Sequence, residues 1–262
     1  MHGIGLRVPK TSQERDAALL AKDLMHGWQS LQRDVETVRA VAVADMERAN
    51  ASGKGLWQNP NEAMRETQLA YIMRCFALID GLSQYLRGGG AWDRKHRQWA
   101  QKREDRAKKA GRMVHYPSAQ TRRMMSFMHC YMGVKPSNAR MAIEIYRHML
   151  MHEGVLHGVL DSEDRIYSWY AAWELQPDEH LCIKQFDERF DNTFLINIGT
   201  LNLVEDVRKA IVTYTDDLRM HESFYHAYLR LTAERWEDKL TWTPRMQFTL
   251  ASTPESNCAG EG

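Results

Sequence analysis

From Ser12 to Asn50 the chain runs 39 residues without a proline and with one glycine, Gly27. Leu20, Leu24, Trp28, Leu31, Val35, Val38 and Ala42 recur there in steps of three and four, so they share one stripe of a helix many turns long. A stripe of that length must be covered by another helix, from the same chain or a second one. Ala51-Ser-Gly-Lys-Gly then breaks the pattern. This excludes an all-β fold and sets the expectation of a mainly α protein.

The rest of the chain agrees. Asn59-Pro60 suits a first turn, Leu69, Ile72, Phe76, Ile79, Leu82 and Leu86 mark the buried face of a second helix, and Gly88-Gly89-Gly90 ends it. Asp80 lies beside that face, where a carboxylate is either functional or a hydrogen-bonded structural group. Ser118 to Val134 and Asn138 to Glu153 read as two helices joined by Lys135-Pro136-Ser137, a linker short enough to favour antiparallel neighbours. The period then changes. Asp164 to Leu175, His180 to Ile183 and Thr193 to Ile198 read as strands of a small antiparallel meander. A last long helix follows from Gly199-Thr200, with Leu203, Val207, Ile211, Tyr214 and Leu218 on its face, running to about Lys239. The expected organisation is a long N-terminal helix and linker (1–58), a helical domain (59–243) with its meander at about 164–198, and a flexible tail (244–262).

Composition limits the function classes. Apolar residues make 44% and charged residues 26%, which suits a packed core and not a disordered or fibrous chain. Apolar runs are too short to span a membrane, and Met1 to Thr11 lacks the apolar centre of a secretory signal. Cys75, Cys130, Cys182 and Cys258 have no paired spacing, as expected of reduced thiols in a cytoplasmic protein. Lys plus Arg (35) nearly balances Asp plus Glu (34), so a polyanionic partner must be sought in local patches. One stands out. Trp92 to Arg112 carries nine basic residues against three acids, with Trp92 and Trp99 interleaved. Arg94, Lys95, Arg97, Lys102 and Arg103 beside Trp99 suit phosphate contact combined with base stacking, although a solvated helix face reads the same way.

Phosphate-loop, zinc-pair and nucleophile-elbow signatures are absent, and no cofactor motif appears. Two readings compete over Arg147-His148-Met149-Leu150-Met151-His152-Glu153. His148 and His152, four apart, share a helical face as two metal ligands would, with His157, His221 or His226 as further candidates. Met149, however, stands where a zinc-protease helix carries its general base. In the other reading an Arg and a His act on an RNA phosphodiester. The His moves the proton of the 2′-hydroxyl or of the leaving oxygen, and the Arg fork stabilises the phosphoryl charge. An internal salt bridge of Arg147 with Glu144 or Asp80 is the structural alternative.

Arg-x(4–6)-His spacing occurs four times here (Arg122 and Arg123 to His129, Arg147 to His152, Arg219 to His226), about as often as chance allows, so context must choose. Only Arg147 is followed by a polar His148 within Tyr146-Arg-x4-His-Glu-Gly154. Together with the helices containing Phe76 to Tyr85 and Arg123 to Tyr131, the strands ending at Phe194 to Asn197 and the helix from Leu203, this order resembles the HEPN superfamily over about Glu62 to Leu218. The resemblance implies an up-and-down helical bundle, a homodimer with a composite cleft, and a metal-independent endoribonuclease acting as a toxin or anti-phage effector under an antitoxin or activator. It further implies that Arg147 stabilises the phosphorane, His152 is the acid/base and His148 assists. On an ideal α-helix residues five apart fall 140° apart, so Arg147 and His152 converge only where the helix distorts or ends; Gly154 favours the second. The alternative from another class is a non-catalytic helical scaffold in which the long first helix docks a partner.

Overall fold

The computed structural model describes residues 11–53, 64–85, 117–149, 158–160, 165–187, 189 and 191–233, together with 98, 101, 102, 105, 106 and 109. The chain is mainly helical, with a small sheet placed before the last long helix.

Helix α1 (Ser12–Ala51) opens on a capping box. Thr11 Oγ1 accepts from the Glu14 N–H at 3.1 Å, and the Glu14 carboxylate accepts from the Thr11 N–H at 3.3 Å. Trp28, Leu31, Val35 and Ala42 of its stripe are buried, and Leu20, Leu24 and Val38 pack against the same core. The cover comes from within the chain: α1 lies along α5 (Thr200–Met220). Gln13 Nε2 donates to the Leu218 carbonyl at 2.9 Å and Trp28 Nε1 to the Val204 carbonyl at 2.7 Å. Moving up α1 therefore means moving down α5 by nearly the same number of residues, so the two are antiparallel with matched rise. The long first helix is built into the core that the other elements share.

Helix α2 (Arg65–Tyr85) buries Ile72, Cys75, Phe76, Ile79 and Leu82, matching its expected face; the expected start at Asn59-Pro60 and end at Gly88 to Gly90 lie outside the described residues. Helix α3 (Ala119–Met132) is capped by Ser118 Oγ, which accepts from the Thr121 N–H at 3.0 Å. It ends at Gly133, whose φ of 69° is left-handed. Helix α4 (Pro136–Ala142) starts on proline in its first turn. It does not continue as an α-helix to Glu153. From Ile143 to Met149 the backbone is π-helical, bonded i to i+5.

Strands β1 (Val159–Leu160), β2 (Ile166–Ala172), β3 (Cys182–Gln185) and β4 (Thr193–Gly199) form a sheet in the order β1-β2-β4-β3. β2 and β4 fall where the pattern placed them, whereas β3 begins at Cys182, two residues later than the expected His180, which lies in the preceding turn. Their directions correct the expected antiparallel meander: β2 and β4 run parallel, from Ile166 opposite Thr193 to Ala172 opposite Gly199, while β1 and β3 pair antiparallel at the two sides. After β2 the chain passes through a helical turn, in which Glu179 and His180 N–H return to the Gln176 carbonyl, and crosses the end of β4 before β3 begins. That crossing supplies the connection a parallel pair requires.

Helix α5 stops at His221, short of Lys239. His221 is extended (φ −120°, ψ 112°), and residues 222–233 form a separate helix, α6, whose first turn returns to the His221 carbonyl. Because Gln13 already sits against Leu218, a straight continuation would run past the start of α1. The break instead buries Tyr225 against Ala17 and Leu218, with the Tyr225 hydroxyl donating to Asp16 Oδ2 at 2.8 Å. Among the described residues no helix is long and apolar enough to cross a membrane.

Candidate functional site

The π-helical turn positions the first residue of the motif. Ile145, Tyr146 and Arg147 are three consecutive buried residues. Tyr146 is fully buried, and its hydroxyl lies 2.9 Å from the Tyr170 carbonyl and 3.1 Å from that of Ile196, so it bonds the turn to both parallel strands. Burial pushes the Tyr146 hydroxyl far above its ordinary range, opposed by the Tyr170 hydrogen bond, and keeps it a donor.

Arg147 points the other way, toward α2. Its side chain is 8% exposed, and Nη2 lies 3.0 Å from Asp80 Oδ2. The same oxygen accepts from Gln120 Nε2 at 2.6 Å, and Arg123 Nη2 stands 3.9 Å from Oδ1. Asp80, Gln120, Arg123 and Arg147 thus come from α2, the start of α3 and the π turn to make one buried cluster, a carboxylate between two guanidiniums. Such a charge-assisted pair fixes the plane and direction of the Arg147 fork. The guanidinium is held against a carboxylate, not presented to an open groove, and Asp80 is one of the two partners the sequence offered for it.

The other candidates are distributed as follows. The backbone of His148 is within the π turn, while its side chain and the whole of His152 lie outside the described residues, as do Arg94, Lys95, Arg97, Trp99 and Arg103. Lys102 is helical and exposed, as are Gln98, Gln101, Asp105, Arg106 and Lys109 of the same stretch. The described histidines of the rival motif matches are occupied locally. His129 Nδ1 is 3.1 Å from the Val134 carbonyl, and His226 Nε2 is 3.2 Å from Glu222. Among the described residues no three His, Cys, Asp or Glu side chains are grouped to hold a metal ion.

Sequence reasoning reached Asp80 and Arg147 but missed Gln120 and Arg123 as their companions. Arg123 carried a signal: it falls among Thr121, Met124, Phe127 and Met128 on the buried face of α3, where an arginine requires a counter-charge. Comparison with protein-family models, curated proteins and solved structures finds no match for this chain.

Proposed function

We propose that the chain is a HEPN-like, metal-independent endoribonuclease in which Arg147 and His152 act on an RNA phosphodiester. The observation that supports this reading is the π-helical turn at Ile143–Met149. In an α-helix the five-residue spacing from Arg147 to His152 is out of phase; the wider i to i+5 register, described as far as Met149, brings positions five apart closer to one face. The turn carrying Arg147 is already in that register. In this reading Asp80 is a positioning residue that orients the Arg147 fork, His152 transfers the proton of the 2′-hydroxyl or leaving oxygen, and His148 assists. The exposed basic residues around Lys102, with Arg94, Lys95, Arg97, Arg103 and Trp99, hold the substrate backbone with little base preference and strong salt dependence. A homodimer, a cytoplasmic role as toxin or anti-phage effector, and control by an antitoxin or activator belong to the same proposal.

One observation favours a second reading, a non-catalytic scaffold: Arg147 is buried against Asp80 and serves as a structural counter-ion there. The test is cleavage of mixed cellular RNA in excess EDTA by wild type, Arg147→Ala and His152→Ala, each verified as folded. Cleavage lost in both variants supports the ribonuclease. A wild type that cuts nothing supports the scaffold; variants that cut as well as the wild type show that Arg147 and His152 are not the catalytic pair or that a contaminant does the cutting.

A further inference from the structure

One face of the sheet builds the core, and a cavity lies over the end of the other. Ile196 and Ile198 of β4 are buried in the core, so Asn197 between them points to the opposite face. Tyr170 is its register partner on β2 and shares that face. Both line a cavity of about 690 Å³, closed by the β2–β3 connection, Arg39 of α1 and Asn202 of α5. That volume suits a small molecule.

The two asparagines of this lining are in opposite states. Asn202 is spent: its Oδ1 accepts from the Leu175 N–H at 2.9 Å, and its Nδ2 donates to the Leu175 carbonyl at 3.0 Å. Asn197 is 9% exposed, and its Oδ1 is buried with no hydrogen-bond partner among the described residues. A carboxamide oxygen in that state has given up water and gained no donor in return. A β-branched residue would hold this strand position without that cost. Asparagine χ2 is a soft torsion, so a turn of the amide plane presents Oδ1 and Nδ2 side by side to a group in the cavity.

The rest of the lining decides what that group is. Its charged side chains are matched: Arg39 lies 3.4 Å from Glu174, and Glu179 accepts from the Lys184 ammonium at 2.8 Å. A net charge on a ligand therefore gains nothing there. The half-buried Tyr170 ring stands beside the carboxamide as an aromatic wall. A neutral, flat molecule with an N–H next to a C=O meets both features. Its amide edge gives Asn197 what Leu175 gives Asn202, and its ring lies against Tyr170.

We propose that this cavity binds a small, neutral aromatic amide, its N–H and C=O paired with the Asn197 carboxamide and its ring against Tyr170. The test is a matched series titrated into the full chain and followed by saturation-transfer NMR and the Asn197 side-chain amide shifts. The series is benzamide, N,N-dimethylbenzamide (no N–H), benzoate (no N–H, and charged) and cyclohexanecarboxamide (no aromatic ring). Benzamide binds tightest and moves the Asn197 amide signals; the dimethyl amide and benzoate bind about tenfold more weakly, as loss of one hydrogen bond requires. Asn197→Val lowers benzamide to the affinity of the dimethyl amide, leaves the dimethyl amide unchanged, and keeps the urea midpoint at or above that of the wild type. Tyr170→Leu narrows the gap between benzamide and cyclohexanecarboxamide. Benzoate or the dimethyl amide binding as well as benzamide, no binding of benzamide, full benzamide affinity in Asn197→Val, or a large loss of stability in that variant overturns the proposal.

Discussion

Asp80→Asn tests the centre of the molecule. The substitution keeps the side-chain shape and removes the charge that faces Arg147 at 3.0 Å and Arg123 at 3.9 Å. Breaking a buried pair by neutralising one partner leaves the other charge desolvated, which costs about 3–5 kcal/mol. The asparagine oxygen still accepts one hydrogen bond, and Asp80 is 17% exposed, so the expected loss is about 2–4 kcal/mol. For a chain of this size that lowers Tm by roughly 5–15 °C. Urea unfolding followed by circular dichroism reads the free energy, and the double variant Asp80→Asn with Arg147→Gln reads the coupling. Removing both charges is expected to cost less than the two single losses added together, by about 1.5–3 kcal/mol. A single-variant loss under about 0.5 kcal/mol, or strictly additive losses, would falsify the claim that this carboxylate holds the Arg147 fork.

Gly133→Ala is expected to cost about 1 kcal/mol in urea unfolding: its φ of 69° is left-handed, and nothing lies within 4 Å of an added Cβ, so the cost is backbone alone and a larger one refutes that account. Trp28→Phe keeps an aromatic ring but removes the donor to the Val204 carbonyl, for an expected loss of about 1 kcal/mol; no loss would mean that this bond does not tie α1 to α5. Burial pushes the Cys75 thiol up to about 12, against the smaller pull of Arg74, so in the folded chain it stays protonated and unreactive to disulfide reagents at pH 8 while exposed Cys130 reacts. Because the unfolded thiol ionises near 9.0 and the folded one near 12, its contribution to stability is complete below pH 9 and falls by up to about 1.4 kcal/mol per pH unit between them; Cys75→Ala flattens that alkaline loss.

The long elements were legible because their signals are local. A proline-free stripe from Leu20 to Ala42 can only be a helix, and Val207, Ile211 and Tyr214 mark the face of α5 by the same periodicity. What α1 packs against was not legible, since Trp28 meets Val204 across 176 residues and a stripe does not name its partner. Strand positions followed from alternation, but alternation is the same read in either direction, so the parallel pairing of β2 with β4 left no mark in composition. The end of α5 was hidden for a related reason: His221 is neither proline nor glycine, and the chain bends there because α1 begins opposite it. At the site, Asp80 stood out as a carboxylate beside an apolar face, while Gln120 is an ordinary polar residue at a helix start and only the assembled fold shows its bond. The π turn had no signature at all, because a hydrogen-bond register belongs to the backbone.

That register bears directly on what Arg147 does. Three consecutive residues of a helical turn fan across about half its circumference, so Ile145, Tyr146 and Arg147 can all be buried only if the turn is enclosed on opposite sides. It is: the sheet carbonyls take Tyr146 and the α2 carboxylate takes Arg147. A structural counter-ion and a phosphoryl-stabilising fork make the same contact with Asp80, so removing the residue does not separate them cleanly. Arg147→Lys does. Lysine keeps the positive charge that the buried pair needs and loses the planar fork that a phosphorane needs. If Arg147 serves only Asp80, the substitution shifts the urea midpoint modestly and any RNA cleavage falls only with the folded fraction. If it acts on phosphate, cleavage measured well below the melting transition falls by about 3 kcal/mol of transition-state stabilisation, roughly a hundredfold, while the fold stays populated. Cleavage that survives Arg147→Lys undiminished removes the fork from the chemistry and leaves Arg147 to its carboxylate.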